Sequence, residues 1–583
     1  MSNLIYLCSQ SPAAVPSAET MALVADRITP AAIRGQAHCI KEAPGQCLCL
    51  TGPARAAGRE GMSARLGTFA GAAPDWHRPK APVPDGSFAL LRSDEASTEL
   101  CADEAGTRTL WYAFTDGRFI ASTSQRAIIC LLGGHSLNRA ALAWFMSAGN
   151  LGPTEAWDSR IRRLPRGGRL LLDRQRWTLE LQAPPVRFTP RPMSRKEALE
   201  GLRACLWPAI QGCEYAAAEW LLPLSGGYDS RLLLEVLHGT RLRPRTVTWG
   251  MAESRTQRGN DAYIARELAA HYGLVNDYLL TEMSDDPPQA VVDTFLAASG
   301  GTTDGLYAYL DGLKLWTGFT REGVDGIIRG DEGFGTRPRP EGHHRFAQGL
   351  IMLSDFLDPG TAEAVADGGQ RMPEELQRQP GETVQAFGDR LVHSIFLPVN
   401  LAALNDVKAP FLEISDPMLS GSVLAFVRQM PDALRARRNL YERLIESVSP
   451  PIPFATMAAD DSRNSFLFSA QYTSWIADEL ERDFARQTLP PALRASLLAA
   501  LQGGSESLID ARSSRALLKR LIPTSWVIAA RALMRPTTPS RRQVAFRCAL
   551  AGRMASLLAE DAASLARAGA IGRLAQPAAT VRA

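Results

Sequence analysis

The residues best suited to chemistry in this sequence form one short segment, Ser225-Gly226-Gly227-Tyr228-Asp229-Ser230. Its glycines let backbone N–H groups approach an anion closely, and Ser225 and Ser230 add hydroxyl donors. Because a carboxylate repels phosphate, Asp229 is expected to act through a magnesium ion that bridges carboxylate and phosphate oxygens. The segment therefore predicts a site for phosphate and Mg²⁺.

The flanking residues indicate how this segment is held. An apolar run at 220–224 precedes it and an apolar helical pattern at 231–238 follows it, which predicts a strand, a loop and a helix. The helix N-terminus would direct its unbonded N–H groups at the anion. The segment lacks both the Gly-Lys-Ser/Thr ending of a P-loop and the spacing of a dinucleotide-binding Gly-x-Gly-x-x-Gly motif.

A second polar loop, Gly330-Asp331-Glu332-Gly333, follows a predicted buried strand at 326–329. Alternating strands and helices predict a parallel sheet, whose ligands bind beyond the carboxyl ends of its strands, so the two loops should face one site. We place a metal ion on Asp229 and Asp331, and assign Asp331 and Glu332 to catalysis. Which of these two orients or deprotonates a nucleophile stays open, and a helix N-terminus bearing favourable acids is the structural alternative.

Composition limits the class of protein. The 583 residues are 45% hydrophobic and 21% charged, as in globular chains with more than one domain. No apolar run reaches the roughly 18 residues of a membrane span, and no basic lead precedes residues 4–8, so we expect a cytoplasmic protein without a membrane partner. The nine scattered cysteines argue against a disulfide framework.

The predicted fold class is α/β, with four regions along the chain. Residues 1–182 read as a β-rich sandwich, and 183–193 as a proline-studded linker. Residues 194–510 read as a doubly wound parallel-sheet domain that opens with a capping box and becomes mainly helical from about 395. Residues 511–583 are expected to be a basic helical extension, and they lack the interleaved aromatic residues typical of nucleic-acid binding.

Taken together, these motifs resemble the asparagine synthetase family, in which an N-type ATP pyrophosphatase domain follows a class II glutaminase domain. The N-terminal matches are residues 85–89, 103–112, 119–122 and 161–167. The matches further along are residues 225–230, 247–250, Asp261, 330–333, 409–413 and Asp416. The resemblance implies that Ser225, Gly226, Gly227, Asp229 and Ser230 bind the phosphates of ATP. It also marks Thr302, Thr303, Asp304, Tyr307 and Asp311 by position as an acyl-substrate pocket.

Departures from the family pattern refine this expectation. A working glutaminase domain uses a cysteine directly after the initiator methionine, whereas this chain has Ser2 there, and Cys8 cannot supply a free α-amine. Glutamine hydrolysis should therefore be lost, and an amine on the substrate should attack the acyl-adenylate. The family members that follow this logic are the β-lactam synthetases and the macrolactam synthetases of lasso-peptide biosynthesis.

The second of these groups gives our first hypothesis. By resemblance, ATP would activate an Asp or Glu side chain of a ribosomal precursor peptide, whose N-terminal amine would close an isopeptide ring with release of AMP and pyrophosphate. A leader peptidase and a leader-binding protein would then be partners. The alternatives are an ammonia-dependent asparagine synthetase, a small-molecule β-lactam-type synthetase, and an inactive scaffold.

A second departure concerns a cation. The family carries a lysine downstream of its Pro-Phe-Leu segment, but none of the six lysines here lies between Lys408 and Lys519. Arg463 is the nearest replacement, with a surface arginine as the equally good alternative. Lys314 and Lys408 are outside candidates for phosphate contact. Asp261 is a weaker site candidate, because it also fits a helix N-cap.

Overall fold

The N-terminal part of the chain is a sandwich of two antiparallel sheets. The computed structural model describes residues 3–52, 57–213, 215, 220–240, 244–335, 376–459, 465–502 and 540–567. The strands of this part are β1 Leu4–Ser9, β2 Cys39–Ala43, β3 Gln46–Leu50, β4 Gly58–Glu60, β5 Ser63–Phe69, β6 Gly86–Ser93, β7 Ser97–Ala102, β8 Trp111–Thr115, β9 Arg118–Ser122, β10 Ile161–Arg163, β11 Arg169–Asp173 and β12 Thr178–Gln182. One sheet has the order β10-β8-β9-β1-β3-β2 and the other β12-β11-β7-β6-β5-β4.

Strand β1 shows why two layers form. Successive side chains of a strand point to opposite faces. Leu4 and Tyr6 pack between the two sheets, whereas Ile5 and Leu7 pack with residues of the helices α1 Ala18–Ile28, α2 Gln125–Leu132 and α3 Arg139–Ala148. Both faces of the first sheet are therefore buried.

The remaining strands form one parallel sheet. They are β13 Trp220–Pro223, β14 Arg245–Gly250, β15 Asn276–Leu280, β16 Gly326–Ile328 and β17 Glu413–Ser415, in the order β15-β14-β13-β16-β17. All four neighbouring pairs are parallel. The chain thus steps outward from β13 on one side and returns to its other side with β16.

Helices cover both faces of this sheet. The helices of this part are α4 Arg195–Gln211, α5 Tyr228–His238, α6 Asp261–His271, α7 Pro288–Ser299, α8 Lys314–Arg321, α9 Val384–Leu391, a π-helix Val392–Leu401, α10 Ala402–Lys408, α11 Gly421–Gln429, α12 Asp432–Arg435, α13 Asn439–Val448, α14 Ala470–Leu480, α15 Asp483–Thr488, α16 Pro491–Gln502 and α17 Arg541–Arg567. Trp220 and Leu222 pack towards α4, α5 and α6. Leu221 packs on the other face, towards α7 and α8. The predicted fold class, a β sandwich followed by a doubly wound parallel-sheet domain with a helical C-terminal part, is confirmed.

The turn and capping residues of the sequence lie where these local structures form, whereas strand β17 was not predicted. The turn at Asp116 and Gly117 joins β8 to β9, and both residues have positive φ as a two-residue Asp-Gly hairpin requires. The capping box of Ser194 and Glu197 opens α4. Strand β17 lies in the stretch predicted to be mainly helical. It has three residues, too few for an alternating pattern, and pairs with β16.

No helix in the described ranges combines the length and the apolar content that a membrane crossing needs. All nine cysteines are free, as the sequence predicts.

Candidate functional site

The site lies where the order of the parallel sheet reverses. Strand β13 has β14 on one side and β16 on the other, so the connections leaving β13 and β16 diverge and open a crevice beyond their carboxyl ends. Residues 225–230 leave β13 and residues 329–333 leave β16. Both predicted loops therefore border the same crevice.

The phosphate loop is held by its own side chains. The Ser225 hydroxyl accepts from the Gly227 N–H at 3.1 Å and lies 3.0 Å from the Ser230 hydroxyl. The Gly226 N–H donates to Asp261 Oδ1 at 3.0 Å. A Cβ at Gly226 would lie 2.4 Å from Cβ of Ala455, so a side chain does not fit there.

The helix that follows presents an open N-terminus. Helix α5 begins at Tyr228 after the N-cap residue Gly227, and no side chain caps it. The first N–H groups of a helix have no partner within the helix, and they carry the positive end of its dipole. The loop and helix therefore offer the donor geometry of an anion site.

Asp229 lies at the start of α5, beside two residues from the far end of the domain. Arg438 Nη2 donates to Asp229 Oδ1 at 2.7 Å, and the Tyr441 hydroxyl donates to the same oxygen at 2.8 Å. Burial raises the pKa of Asp229, while Arg438 and Tyr441 oppose that rise. A Cβ at Gly330 would lie 2.9 Å from the Asp229 Cβ, so a glycine is needed where the acidic loop meets α5.

Asp331 is held as a carboxylate. Burial favours a raised pKa, but Arg329, Lys408 and a hydrogen bond with Asp416 together keep the pKa of Asp331 below its usual value. Arg329 Nε donates to Oδ2 at 2.7 Å and Nη2 to Oδ1 at 3.3 Å, which is a two-pronged ion pair.

Glu332 differs from its neighbour. Burial raises its pKa to about 7; Asp229 and Asp331 add to that rise, and Arg438 opposes it. Its Oε1 lies 3.1 Å from Arg438 Nε, and its Oε2 accepts from the Phe334 N–H. The two adjacent acids thus favour different protonation states. Neither belongs to a helix of the described residues, which end at 335 on this side of the loop.

A buried pair lies behind these acids. Asp416 follows β17, and Asn405 Nδ2 donates to its Oδ2 at 3.0 Å. Burial raises the pKa of Asp416 well above its usual value, and the neighbouring Asp331 adds to the rise. Burial also lowers the pKa of Lys408 to about 7, with the Arg329 charge in support. Lys408, predicted as an outside candidate, therefore lies among the acids of the site.

The donor set fits a magnesium ion that arrives with a nucleotide. Over the described ranges, no cluster of three or more acidic, histidine or cysteine side chains could hold a metal ion without other ligands. Mg²⁺ is usually held by one or two carboxylates together with phosphate oxygens and water. Asp229 and Asp331 are the carboxylates of this crevice that would serve in this way.

Other predicted residues have different places. Asp261 is the first residue of α6 rather than its N-cap, which is Asn260, and it orders the phosphate loop through Gly226. Lys314 bonds Ser284 Oγ at 2.9 Å. Arg463 and Ser2 lie outside the described residues.

The acyl-pocket segment is largely engaged in internal contacts. Asp304 Oδ2 accepts from Arg547 Nε of α17 at 2.6 Å. The Asp311 carboxylate accepts from the Leu313 and Leu315 N–H groups at 3.1 and 3.0 Å.

Sequence reasoning missed Arg438 and Tyr441, which approach Asp229 from 209 and 212 residues away. No spacing rule joins residues so far apart in sequence. The backbone of Arg438 has a φ of 61°, a left-handed conformation that residues other than glycine rarely adopt. Backbone strain of this kind is concentrated at functional sites.

Comparisons with known proteins show only remote likeness. No protein-family model matches the chain, and no curated protein matches it significantly. A glutamine phosphoribosylpyrophosphate (PRPP) amidotransferase from B. subtilis, complexed with ADP and GMP, aligns at 8% identity and a TM-score of 0.22, covering 50% of this chain and 67% of its own. A structure of the allosteric regulatory enzyme of purine biosynthesis aligns at 9% identity and a TM-score of 0.21, covering 48% of this chain and 81% of its own. At these TM-scores the alignments do not bear on activity.

Proposed function

We propose that the protein is an ATP-dependent amide ligase that adenylates a carboxylate and joins it to an amine of the same substrate. In its specific form the substrate is a ribosomal precursor peptide, and the product is a macrolactam closed between an Asp or Glu side chain and the N-terminal amine. The observation that carries the proposal is the uncapped N-terminus of α5, which the acidic loop approaches closely at Gly330.

The chemistry divides into two steps. The substrate carboxylate attacks the α-phosphorus of ATP, the bond from that phosphorus to the bridging oxygen breaks, and pyrophosphate leaves. The substrate amine then attacks the acyl carbon and AMP leaves, while the amine proton passes to a base. Holding amine and acyl carbon in attack geometry supplies about 7 to 11 kcal/mol of the barrier.

Each site residue has a place in this scheme. The Ser225 and Ser230 hydroxyls and the N–H groups at the start of α5 bind the leaving phosphates. Asp229 and Asp331 would hold a magnesium ion, which neutralises phosphate charge when bound. Glu332 is assigned as the base, because burial raises its pKa to about 7 and it carries no two-pronged ion pair of the kind that occupies Asp331.

Arg438 takes the place of the missing lysine. Its guanidinium joins Asp229 to Glu332, where it stabilises charge that develops on the transferring phosphate. An arginine offers a rigid fork of donors, which suits phosphate better than the single point charge of a lysine.

The proposal is tested by product analysis. The protein is incubated with ATP and Mg²⁺ and a panel of peptides that carry a free N-terminus and one internal Asp or Glu. AMP, pyrophosphate and a peptide lighter by one water are the expected products. Parallel reactions contain aspartate with ammonia, or glutamine. The double variant Ser225→Ala/Ser230→Ala serves as the inactive control.

The outcomes separate the alternatives. Turnover of aspartate with ammonia would favour an asparagine synthetase. AMP formed only when glutamine is consumed would overturn the proposed source of the amine. If no carboxylate gives AMP and calorimetry detects no ATP binding, the chain is a scaffold and the proposal is wrong.

A further inference from the structure

The turn that carries Glu332 is bonded to the π-helix of the parallel-sheet domain. The Gly333 carbonyl accepts from His393 Nε2 at 2.9 Å, and His393 lies on the π-helix, 1% exposed. A Cβ at Gly333 would lie 3.0 Å from that nitrogen, so the turn and the ring are in close contact. π-Helices are rare in proteins, and those that occur often lie at functional sites.

The hydrogen bond with Arg428 determines which ring nitrogen of His393 carries the proton. Arg428 Nε lies 3.2 Å from His393 Nδ1, and because a guanidinium only donates, Nδ1 must accept. Nε2 therefore carries the proton and donates to Gly333. Burial and the nearby Arg428 charge lower the pKa of His393 to about 3, so the ring keeps this neutral form.

Arg428 is in turn held by the N-terminal sandwich. Its Nη1 donates to Glu104 Oε1 at 2.5 Å, and the same oxygen accepts from Arg166 Nη1 at 2.7 Å. Glu104 lies between β7 and β8. The contacts from Glu104 through Arg428 and His393 to the Gly333 carbonyl are called the Glu104 relay below.

A second contact from the sandwich reaches the buried acid. The Ser87 hydroxyl of β6 donates to the Asp416 carbonyl at 3.1 Å and accepts from the Asp416 N–H at 3.1 Å. The N-terminal sandwich thus bonds the Asp416 backbone directly and reaches the Gly333 backbone through Arg428 and His393.

We propose that the N-terminal sandwich serves as a positioning element for the acidic loop, and that His393, through the Glu104 relay, is the positioning residue for Glu332. The reaction that Glu332 would serve rests on the proposed function, whereas the contacts of the Glu104 relay are observed independently of it. It gives the sandwich a role that needs no glutamine hydrolysis.

The test compares His393→Leu, which cannot donate, with His393→Gln, whose amide N–H₂ can reach the position of Nε2. Glu104→Ala cuts the relay at its start. His271→Leu, at the exposed end of α6, and Asp94→Ala, which caps a turn within the sandwich, are the matched controls.

The first readout is hydrogen exchange of residues 330–335 in the full-length protein. We expect exchange to quicken about tenfold in His393→Leu and Glu104→Ala, to stay near wild type in His393→Gln, and to leave β14 and β15 unchanged. Equal acceleration throughout the chain, or none at residues 330–335, would overturn the inference.

The second readout is the rate of AMP formation. We expect kcat to fall about 100-fold in His393→Leu with the KM for ATP nearly unchanged, and His393→Gln to restore most of it. A rise in that KM without a fall in kcat would contradict a positioning role. If even the wild-type protein forms no AMP, the proposed function fails, while hydrogen exchange still decides the inference.

Discussion

The buried Asp561 and the three carboxylates of the crevice differ in how completely arginines compensate their charge. Asp561 of α17 is fully buried, and both of its oxygens are bonded: Arg126 donates to each, and Arg27 donates to one. At the crevice, Asp229, Asp331 and Glu332 lie close together, and the pKa values of Asp229 and Glu332 stay raised although Arg438 is paired with both. Here the Asp229 side chain is 35% exposed, against 0% for Asp561.

The difference teaches how a stabilising ion pair is told from a functional one. The Asp561 group has complete hydrogen bonding and ties the C-terminal helix to the sandwich. The crevice group retains like charges side by side, a carboxylate with a pKa near neutrality and a strained backbone at Arg438. Such features cost stability and persist where chemistry needs them.

Breaking the crevice group at Asp229 should have the largest effect. In Asp229→Asn we expect AMP formation to fall on the order of 1000-fold, about 4 kcal/mol of transition-state stabilisation, because the ligand that joins phosphate loop to metal is lost. The thermal midpoint should hardly change, since one of several repelling acids is removed along with one ion pair. A wild-type rate in this variant would contradict the assigned role.

Breaking the other group should do the reverse. Asp561→Asn leaves Arg126, with a 3% exposed side chain, without a charged partner in the interior, and we expect a loss of about 3 kcal/mol in stability. Thermal unfolding and hydrogen exchange of α17 measure this loss. AMP formation at low temperature should be retained, and a specific loss of activity would show that the two groups do not differ as proposed.

Arg438 allows charge and backbone strain to be separated. Arg438→Ala and Arg438→Gly both remove the guanidinium and should lower AMP formation about 100-fold, or about 2.7 kcal/mol. Because a positive φ suits glycine, Arg438→Gly should be the more stable of the two by about 1 kcal/mol. Arg438→Lys keeps the charge without the fork, so an intermediate rate is expected. Equal stability of the alanine and glycine variants would argue against strain.

The scaffold of the site could be predicted from sequence because its signals are local. The apolar run before Ser225, the glycines and the helical pattern after Ser230 all lie within about twenty residues, and the structure places strand, loop and helix there. The Gly330 loop was found in the same way, from the short buried strand before it.

The charge balance of the site could not be predicted in the same way. Arg438 and Tyr441 reach Asp229 only through tertiary packing. Asp416 follows β17, which is too short to show the alternating pattern of a strand. The different states of Asp331 and Glu332 arise from which arginine faces each carboxylate. Adjacent acids look alike in sequence, so their roles stayed open there.

The smallest expected effect is on the pH dependence of stability. It comes from the neutral His393 ring, in contrast to the charged carboxylates of the crevice. The His393 ring is surrounded by the cations Arg428, Arg166 and Arg435 and by the Gly333 carbonyl, and its pKa is lowered to about 3. An unfolded histidine has a pKa of about 6.5 and so binds a proton first as pH falls. Stability from this residue is therefore present above about pH 6.5 and is lost as pH falls towards 3.

Between pH 7 and pH 5 the loss should reach about 2 kcal/mol in the wild-type protein. His393→Gln cannot take up a proton, so its stability should fall less over the same range, although other groups titrate in both proteins. Thermal midpoints of the two proteins at pH 7 and pH 5 give the comparison, with His271→Gln as the control for an exposed histidine. The same pH dependence in wild type and His393→Gln would mean that the buried ring accepts a proton at Nδ1. That proton would end the hydrogen bond from Arg428 and remove the support that the Glu104 relay gives to Glu332.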